Sequence, residues 1–160
     1  MAKRKIVKEI TKNYIPTDEV LTDNILTYQI PTKEITYSEY GIMLSSLCRK
    51  IQEKENITAV YGLARGGLAI AVHVSHYFKI PLIESIIQIE PLYKNKQILV
   101  VDDIMTNGRT FSRFIEFANL RHINYKTAVL CYKENYFKPN YWEYEAKADE
   151  HIIFPWELKS

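Results

Sequence analysis

The stretch ILVVDDIMTNGRT, residues 98–110, decides how the rest of the chain is read. Four apolar residues, Ile98 to Val101, run straight into Asp102 and Asp103. A short apolar run bounded by polar residues predicts a buried strand, here QILVV, 97–101. A polar stretch with Gly108 in it and Thr110 at its end follows, and RTFSRFIEFANLRHI, 109–123, predicts a helix. Two adjacent carboxylates at a strand end are costly to bury unless cations or hydrogen-bond donors satisfy them. A vicinal diol offers two hydroxyl donors and Mg²⁺ offers charge; either suits Asp102 and Asp103. The loop Thr106-Asn107-Gly108-Arg109-Thr110 brings backbone N–H groups, two threonine hydroxyls and a helix N-terminus, a combination that favours an anion such as a phosphate monoester. Gly108 permits a positive φ or close approach by a ligand. A diol site beside a monophosphate site describes ribose 5-phosphate.

Other strings carry acids at a strand end. A Walker-B strand does, but the chain contains no GxxxxGK[ST]. A response-regulator receiver carries paired acids after its first strand, but too few residues follow Asp103 for the rest of such a domain. A solvated acidic turn would account for the two aspartates alone, not for the apolar run and the Thr/Gly loop around them.

Outward from this string, short apolar runs alternate with amphipathic stretches. Thr36 and Glu39 have capping-box spacing, and Tyr40, Met43, Leu44, Leu47 and Ile51 recur at helical spacing, so 37–54 predicts a helix. ITAVYGLA (57–64) predicts a strand, ARGGL (64–68) a turn and LAIAVHVSHYF (68–78) a helix. PLIESIIQI (81–89) predicts a strand, PLYKNK (91–96) a hairpin-like turn and KTAVLCYK (126–133) a strand. NYFKPNYWEYEAK (135–147) reads as irregular and HIIF (151–154) as a last strand, while ILTYQI (25–30) is a candidate short strand. The expected fold is α/β, a doubly wound, mostly parallel sheet flanked by helices. Residues 1–35 read as an N-terminal extension and 36–160 as the main domain, with a small hood from the terminal segments. Such sheets bind ligands beyond the carboxyl ends of their strands. Those ends carry Arg65-Gly66-Gly67, Asp102-Asp103, Lys133 and the stretch around Phe154-Pro155-Trp156.

Bulk properties narrow the class. A chain of 160 residues suits one core, and a net charge of +2 is too small to imply nucleic-acid binding. The basic start, Lys3-Arg4-Lys5 with Lys8 and Lys12, reads as a solvated tail. Cys48 and Cys131 stand far apart in apolar contexts and read as buried free thiols. No apolar run approaches the roughly 18 residues that span a bilayer. The start lacks an apolar signal region, so a cytoplasmic protein is expected, with neither nucleic acid nor membrane as a partner.

The 98–110 string resembles the phosphoribosyl-pyrophosphate (PRPP) signature of the type I phosphoribosyltransferases: an apolar run, an acid pair, two apolar residues, a Thr/Gly loop and a threonine. The resemblance covers roughly residues 37–157 and is greatest to the xanthine–guanine and hypoxanthine (6-oxopurine) members. It implies a Rossmann-type fold and a Mg²⁺-dependent transfer of the 5-phosphoribosyl group of PRPP to a nucleobase. Asp102 and Asp103 would contact the ribose hydroxyls, stabilise developing positive charge and serve any metal. Thr106, Asn107, Gly108, Arg109 and Thr110 would hold the 5-phosphate. Ala64, Arg65, Gly66 and Gly67 look like the family's pyrophosphate loop; the residues themselves fit either a tight turn or an anion cradle with a bidentate-capable cation.

On the base side, Lys133 is either an exposed strand terminus or, by resemblance, a contact to the exocyclic oxygen of a 6-oxopurine. HIIFPWE, 151–157, looks like the base-binding segment. Ile152 would then stack on the purine, backbone around His151 and Ile152 would read its edge, and Glu157 would lie near the base or a Mg²⁺-bound water. Trp156 reads as structural. A dimer or tetramer is implied by resemblance alone. Three departures accompany the likeness. Thr106 stands where 6-oxopurine members carry an acid and orotate-type members a threonine. His151 replaces a more usual aromatic. Only Pro91 to Lys96 stands where the family inserts a long lid, with Tyr93, Lys94 and Lys96 as either pyrophosphate contacts or exposed turn residues.

Overall fold

The computed structural model describes residues 30–133 and 138–157. Most of the expected strand 25–30 and the opening of the aromatic segment at 135–137 lie outside the described residues. In chain order the elements are β1 (Thr32–Glu34), α1 (Tyr37–Gln52), β2 (Ala59–Gly62), α2 (Gly66–Phe78), β3 (Leu82–Ile83), a 3₁₀ turn (Ile86–Gln88), α3 (Ile89–Tyr93), β4 (Gln97–Met105), α4 (Arg109–Leu120), β5 (Asn124–Lys133), β6 (Tyr141–Ala146) and β7 (His151–Ile153). Five strands form one parallel sheet in the order β3-β2-β4-β5-β6. Strand order reverses at β2 and β4, so the crevice between their carboxyl ends is the switch point where such sheets take ligands. β1 and β7 make a separate two-stranded parallel sheet, the hood expected from the terminal segments.

Alternation along β4 explains the two-sided core. Leu99 and Val101 join Leu47, Ile51, Ile70 and Val74 on the side covered by α1 and α2. Ile98 and Val100 join Phe111, Phe114 and Ala118 on the side covered by α4. A strand covered on both faces must be apolar at every position, which is why ILVV reads as a continuous run. α1 starts on the expected capping box: the Thr36 hydroxyl accepts from the Glu39 N–H at 3.2 Å, and the Glu39 carboxylate accepts from the Thr36 N–H at 2.8 Å. Cys48 and Cys131 are buried and free, and burial pushes their thiols up to about 11 and about 12.

Four expectations need correction. The stretch 81–89 is not one strand: Leu82–Ile83 pairs with β2, and the chain then coils into the 3₁₀ turn and α3. Ser85 and Gln88 form a capping box, a local signal that outweighs the β-branched composition. The connection to β4 is therefore no hairpin. β3 lies at the sheet edge beyond β2, and residues 84–96 cross back to β4, anchored by the fully buried Ile89 and by the Glu90–Arg121 ion pair at 2.9 Å. Within 135–147 the described part is not irregular; Tyr141–Ala146 is an edge strand parallel to β5. Its residues are mostly half-exposed, so it lacks the apolar run of a central strand. Finally, β4 does not stop at Val101 but continues through the aspartates to Met105. Among the described residues no helix is long and apolar enough to cross a membrane.

Candidate active site

β4 carries the acid pair into the switch point while still paired, since Asp102 lies opposite Val129 of β5 and Ile104 opposite Cys131. Successive side chains leave a strand on opposite sides; Asp102 lines the 106–110 loop while also being held by the Gly67 N–H, and Asp103 turns toward Gly66. Asp102 lines a pocket with Thr106, Asn107, Gly108, Arg109 and Thr110, and with the apolar Ile104, Met105 and Phe111. Asp103 lies against Gly66 at the first turn of α2, where a Cβ would run into its carboxylate. Gly67 is as close to the strand: a Cβ there would strike the Val101 carbonyl and lie 3.1 Å from the Asp102 Cα. The two glycines therefore let a helix N-terminus press onto the acid pair.

The 106–110 loop is built locally. Gly108 sits at φ 68°, the left-handed conformation that only glycine adopts cheaply, and so turns the chain into α4. The Asn107 side-chain oxygen accepts from the Arg109 N–H at 3.1 Å. The following first-turn N–H groups have no partners within the helix and point out of its N-terminus, the positive end of its dipole. Thr106, Asn107, Arg109 and Thr110 are exposed around them.

Buried charge sets the electrostatics of the pair. Asp102 is 7 % exposed, and burial, then the negative charge of Asp103, push its carboxyl up to about 7. Burial likewise raises Asp103, the Ile104 N–H at 2.7 Å and other hydrogen bonds oppose the rise, and the charge of Glu157 adds to it. The Asp103 N–H donates to Asp102 Oδ1 at 3.0 Å. Each carboxylate keeps acceptor capacity, and together they concentrate negative charge that a cation or a set of hydroxyl donors would relieve. Among the described residues no three His, Cys, Asp or Glu side chains cluster as a metal cage. Mg²⁺ typically takes one or two protein carboxylates and completes its shell with water and substrate phosphates, so a pair of hard oxygen donors fits it.

The pyrophosphate-loop candidates are also at the switch point. Ala64 and Arg65 are exposed between β2 and α2, the peptide joining them is cis, and the Leu63 N–H donates to the Val101 carbonyl at 2.9 Å. On the base side, Lys133 is half-buried at the end of β5, one residue past the Met105–Tyr132 pair. His151 is exposed and its N–H donates to the Pro31 carbonyl at 2.7 Å. Glu157 accepts from the Phe154 N–H at 2.8 Å and acts electrostatically on Asp103. Ile152 is 5 % exposed and packed into the core with Ile35 and Phe154, so its side chain has little face to offer a ring. Tyr93, Lys94 and Lys96 lie just before β4 begins, at the end of the strand remote from the acid pair. Met105 and Phe111 were not singled out from the sequence. The apolar Ile104-Met105 after the acids was the available sign that the strand, and its lining of the pocket, continues.

Comparison with known proteins agrees with this geometry. The family model for the phosphoribosyl transferase domain matches residues 82–160, which include the acid pair, its loop and the hood strand. A purine phosphoribosyltransferase from Pyrococcus horikoshii superposes with a TM-score of 0.70 at 25% identity, over 81% of this chain and 95% of that one. The likeness of residues 82–160 is to a phosphoribosyl transferase domain. Other solved structures share this fold. The Helicobacter pylori xanthine-guanine-hypoxanthine enzyme gives a TM-score of 0.67 at 20% identity, over 79% of this chain and 94% of that one. A Neisseria gonorrhoeae protein with bound ppGpp gives 0.68 at 18% identity, over 82% and 92%. No curated protein matches the sequence significantly. The matched residues include the acid pair of β4.

Proposed function

We propose that the protein transfers the 5-phosphoribosyl group of PRPP to a ring nitrogen of a 6-oxopurine such as guanine, xanthine or hypoxanthine, in nucleotide salvage. The bond from the sugar's C1′ to the pyrophosphate oxygen breaks, a C1′–N bond forms, pyrophosphate leaves, and the base loses its ring N–H proton. The observation that carries the reading is the acid pair held between two helix N-termini, one at Gly66 and one at Gly108. Thr106 to Thr110 would hold the 5-phosphate, and Ala64 to Gly67 with the exposed Arg65 would hold the leaving pyrophosphate. Asp102 and Asp103 would orient the ribose and stabilise charge developing at C1′, where fixed negative groups in a dry site act most strongly. Mg²⁺ would supply charge neutralisation of the pyrophosphate, with Asp102 and Asp103 as its protein donors. Lys133, His151, Ile152 and Glu157 are the base-side residues; for Ile152 the backbone, rather than the buried side chain, is the group offered. A homo-oligomer working in the cytoplasm completes the proposal.

Thr106 favours a second reading, a transferase for a pyrimidine or modified purine, because a threonine cannot act as a general base near neutral pH. Calorimetry with PRPP and Mg²⁺, and pyrophosphate release over a panel of guanine, xanthine, hypoxanthine and orotate, tests both. Release with a 6-oxopurine supports the first reading and release with orotate alone the second. Tight PRPP binding without release on any base would make the protein a PRPP-binding regulator, and no PRPP binding would overturn the functional assignment.

A further inference from the structure

The first turn of α1 is far from the loops just described in sequence, yet it is tied to the hood. Ile35 precedes the Thr36 cap and Tyr40 follows four residues after it; both are buried in the same core cluster, the arrangement of a hydrophobic staple. The Ile35 N–H donates to the Ile153 carbonyl at 2.8 Å, fastening β7 to this turn. Tyr40 then meets the edge of Trp156, centroids 5.2 Å apart at 87°. Trp156 stacks on Phe154 at 5.0 Å and 9°. On its other side Tyr40 stands edge-on to His73 of α2 at 5.7 Å, and its hydroxyl lies 3.3 Å from His73 Nδ1. His73 Nδ1 is in turn 3.0 Å from the Ala69 carbonyl. One tyrosine, 7 % exposed, thus touches α2 and the terminal turn that carries Glu157.

We propose that Tyr40 is a positioning residue for the base side of the site. It acts through Trp156, fixing the turn 154–157 and with it the hood backbone at His151 and Ile152 that faces a bound base. Core packing alone would require only a large apolar side chain here. The tyrosine instead makes perpendicular contacts to two rings on different elements, an arrangement aromatic pairs prefer and that an aliphatic side chain cannot reproduce. The proposal rests on the reading that the hood binds the base, so its test separates the two.

Binding of GMP and of ribose 5-phosphate is measured by calorimetry on the wild type and on Tyr40→Leu and Tyr40→Phe. The expected result is a Kd for GMP raised about tenfold in Tyr40→Leu, a Kd for ribose 5-phosphate within about twofold of wild type, and near wild-type values for both ligands in Tyr40→Phe. A purely structural role would weaken both ligands together, so equal losses overturn the proposal. An unchanged GMP affinity in a folded Tyr40→Leu overturns it as well. Should Tyr40→Leu fail to fold, Trp156→Leu, altering a half-buried residue at the other end of the contact, must show the same split or the proposal fails. A wild type that binds ribose 5-phosphate but gains no affinity from the base overturns it too. A wild type that binds neither ligand instead refutes the PRPP-site reading on which it rests.

Discussion

Asp102→Asn should make the unliganded protein more stable at neutral pH while weakening its hold on PRPP. Asp102 is 7 % exposed, and its carboxyl is raised from an ordinary 3.8 to about 7, first by burial and then by the charge of Asp103. A group raised in the folded state keeps a proton that the unfolded chain has already released. Its contribution is therefore fully present below about pH 4 and is lost as pH rises through about 7. At ~1.4 kcal/mol per pH unit the ceiling at pH 8 is about 4 kcal/mol. Burying the asparagine amide in its place offsets part of this, so the net gain should be roughly 2 kcal/mol. For a chain of 160 residues the unfolding entropy is about 0.3 kcal/mol per degree, so the Tm should rise by about 6 °C at pH 8. Asparagine keeps an oxygen to accept the Asp103 N–H, so the local hydrogen bond survives. Thermal melts of both proteins from pH 4 to 8.5, without ligand, provide the assay. The gap should move in the variant's favour as pH rises from 4. A gap that stays flat with pH, or a wild type that is the more stable at pH 8, refutes the reasoning.

Gly66→Ala should cost a few kcal/mol, about 2–3 by analogy with overpacking elsewhere, because its Cβ would displace the Asp103 carboxylate; PRPP binding should fall at least tenfold. Gly41→Ala is the matched control, since nothing lies within 4 Å of a Cβ there, and inside a helix it should gain up to about 1 kcal/mol by chemical denaturation. Arg65→Ala should weaken Mg²⁺–pyrophosphate binding about tenfold and leave ribose 5-phosphate unaffected, as read by calorimetry, because the exposed guanidinium makes no hydrogen bond or ion pair within the described residues. Glu55→Gln should lower stability by about 1–2 kcal/mol at pH 7. Burial works against its ionised form, but hydrogen bonds from Lys126, Tyr141 and Gln97 hold the carboxyl below its usual range, so this contribution is lost only as pH falls through that lowered value.

What could be read in the sequence depended on how local its cause was. The box at Thr36 and Glu39 and the glycine at 108 are local devices, and both stand where the sequence put them. The parallel sheet follows from apolar runs that must be covered on both faces. β6 was hidden because an edge strand, half-covered, needs no such run, and Tyr141 to Ala146 mixes aromatics with glutamates. β1 was hidden for another reason: Thr32 to Glu34 carries no strand pattern and is extended by pairing with His151 to Ile153, more than a hundred residues away. At the site, the acid pair and its loop were legible as a contiguous string. The approach of Gly66 to Asp103 was not, because it joins two strand ends through the fold.

The same geometry answers why the acids are adjacent rather than spaced by one. Two carboxylates at i and i+2 would leave the strand on one side and serve one loop. At i and i+1, Asp102 lines the 106–110 loop as well as meeting the Gly67 N–H, and Asp103 lies against Gly66. A ligand that reached both loops would then have to cross the strand end, with its sugar over the pair and an anion at either side. That description fits PRPP better than a simple nucleotide, which has one phosphate arm. The two aspartates should accordingly fail differently when altered one at a time. Asp102→Asn should weaken ribose 5-phosphate by about tenfold, in keeping with the loss of a charged hydrogen-bond partner, and Mg²⁺–pyrophosphate much less. Asp103→Asn should reverse that order. Both variants should bind PRPP more weakly than wild type, since PRPP occupies both sides. Calorimetry with the three ligands gives a pattern rather than a single loss. Identical profiles for the two variants would mean that the carboxylates act as one unit on the ribose, and that their division between two loops has no bearing on binding.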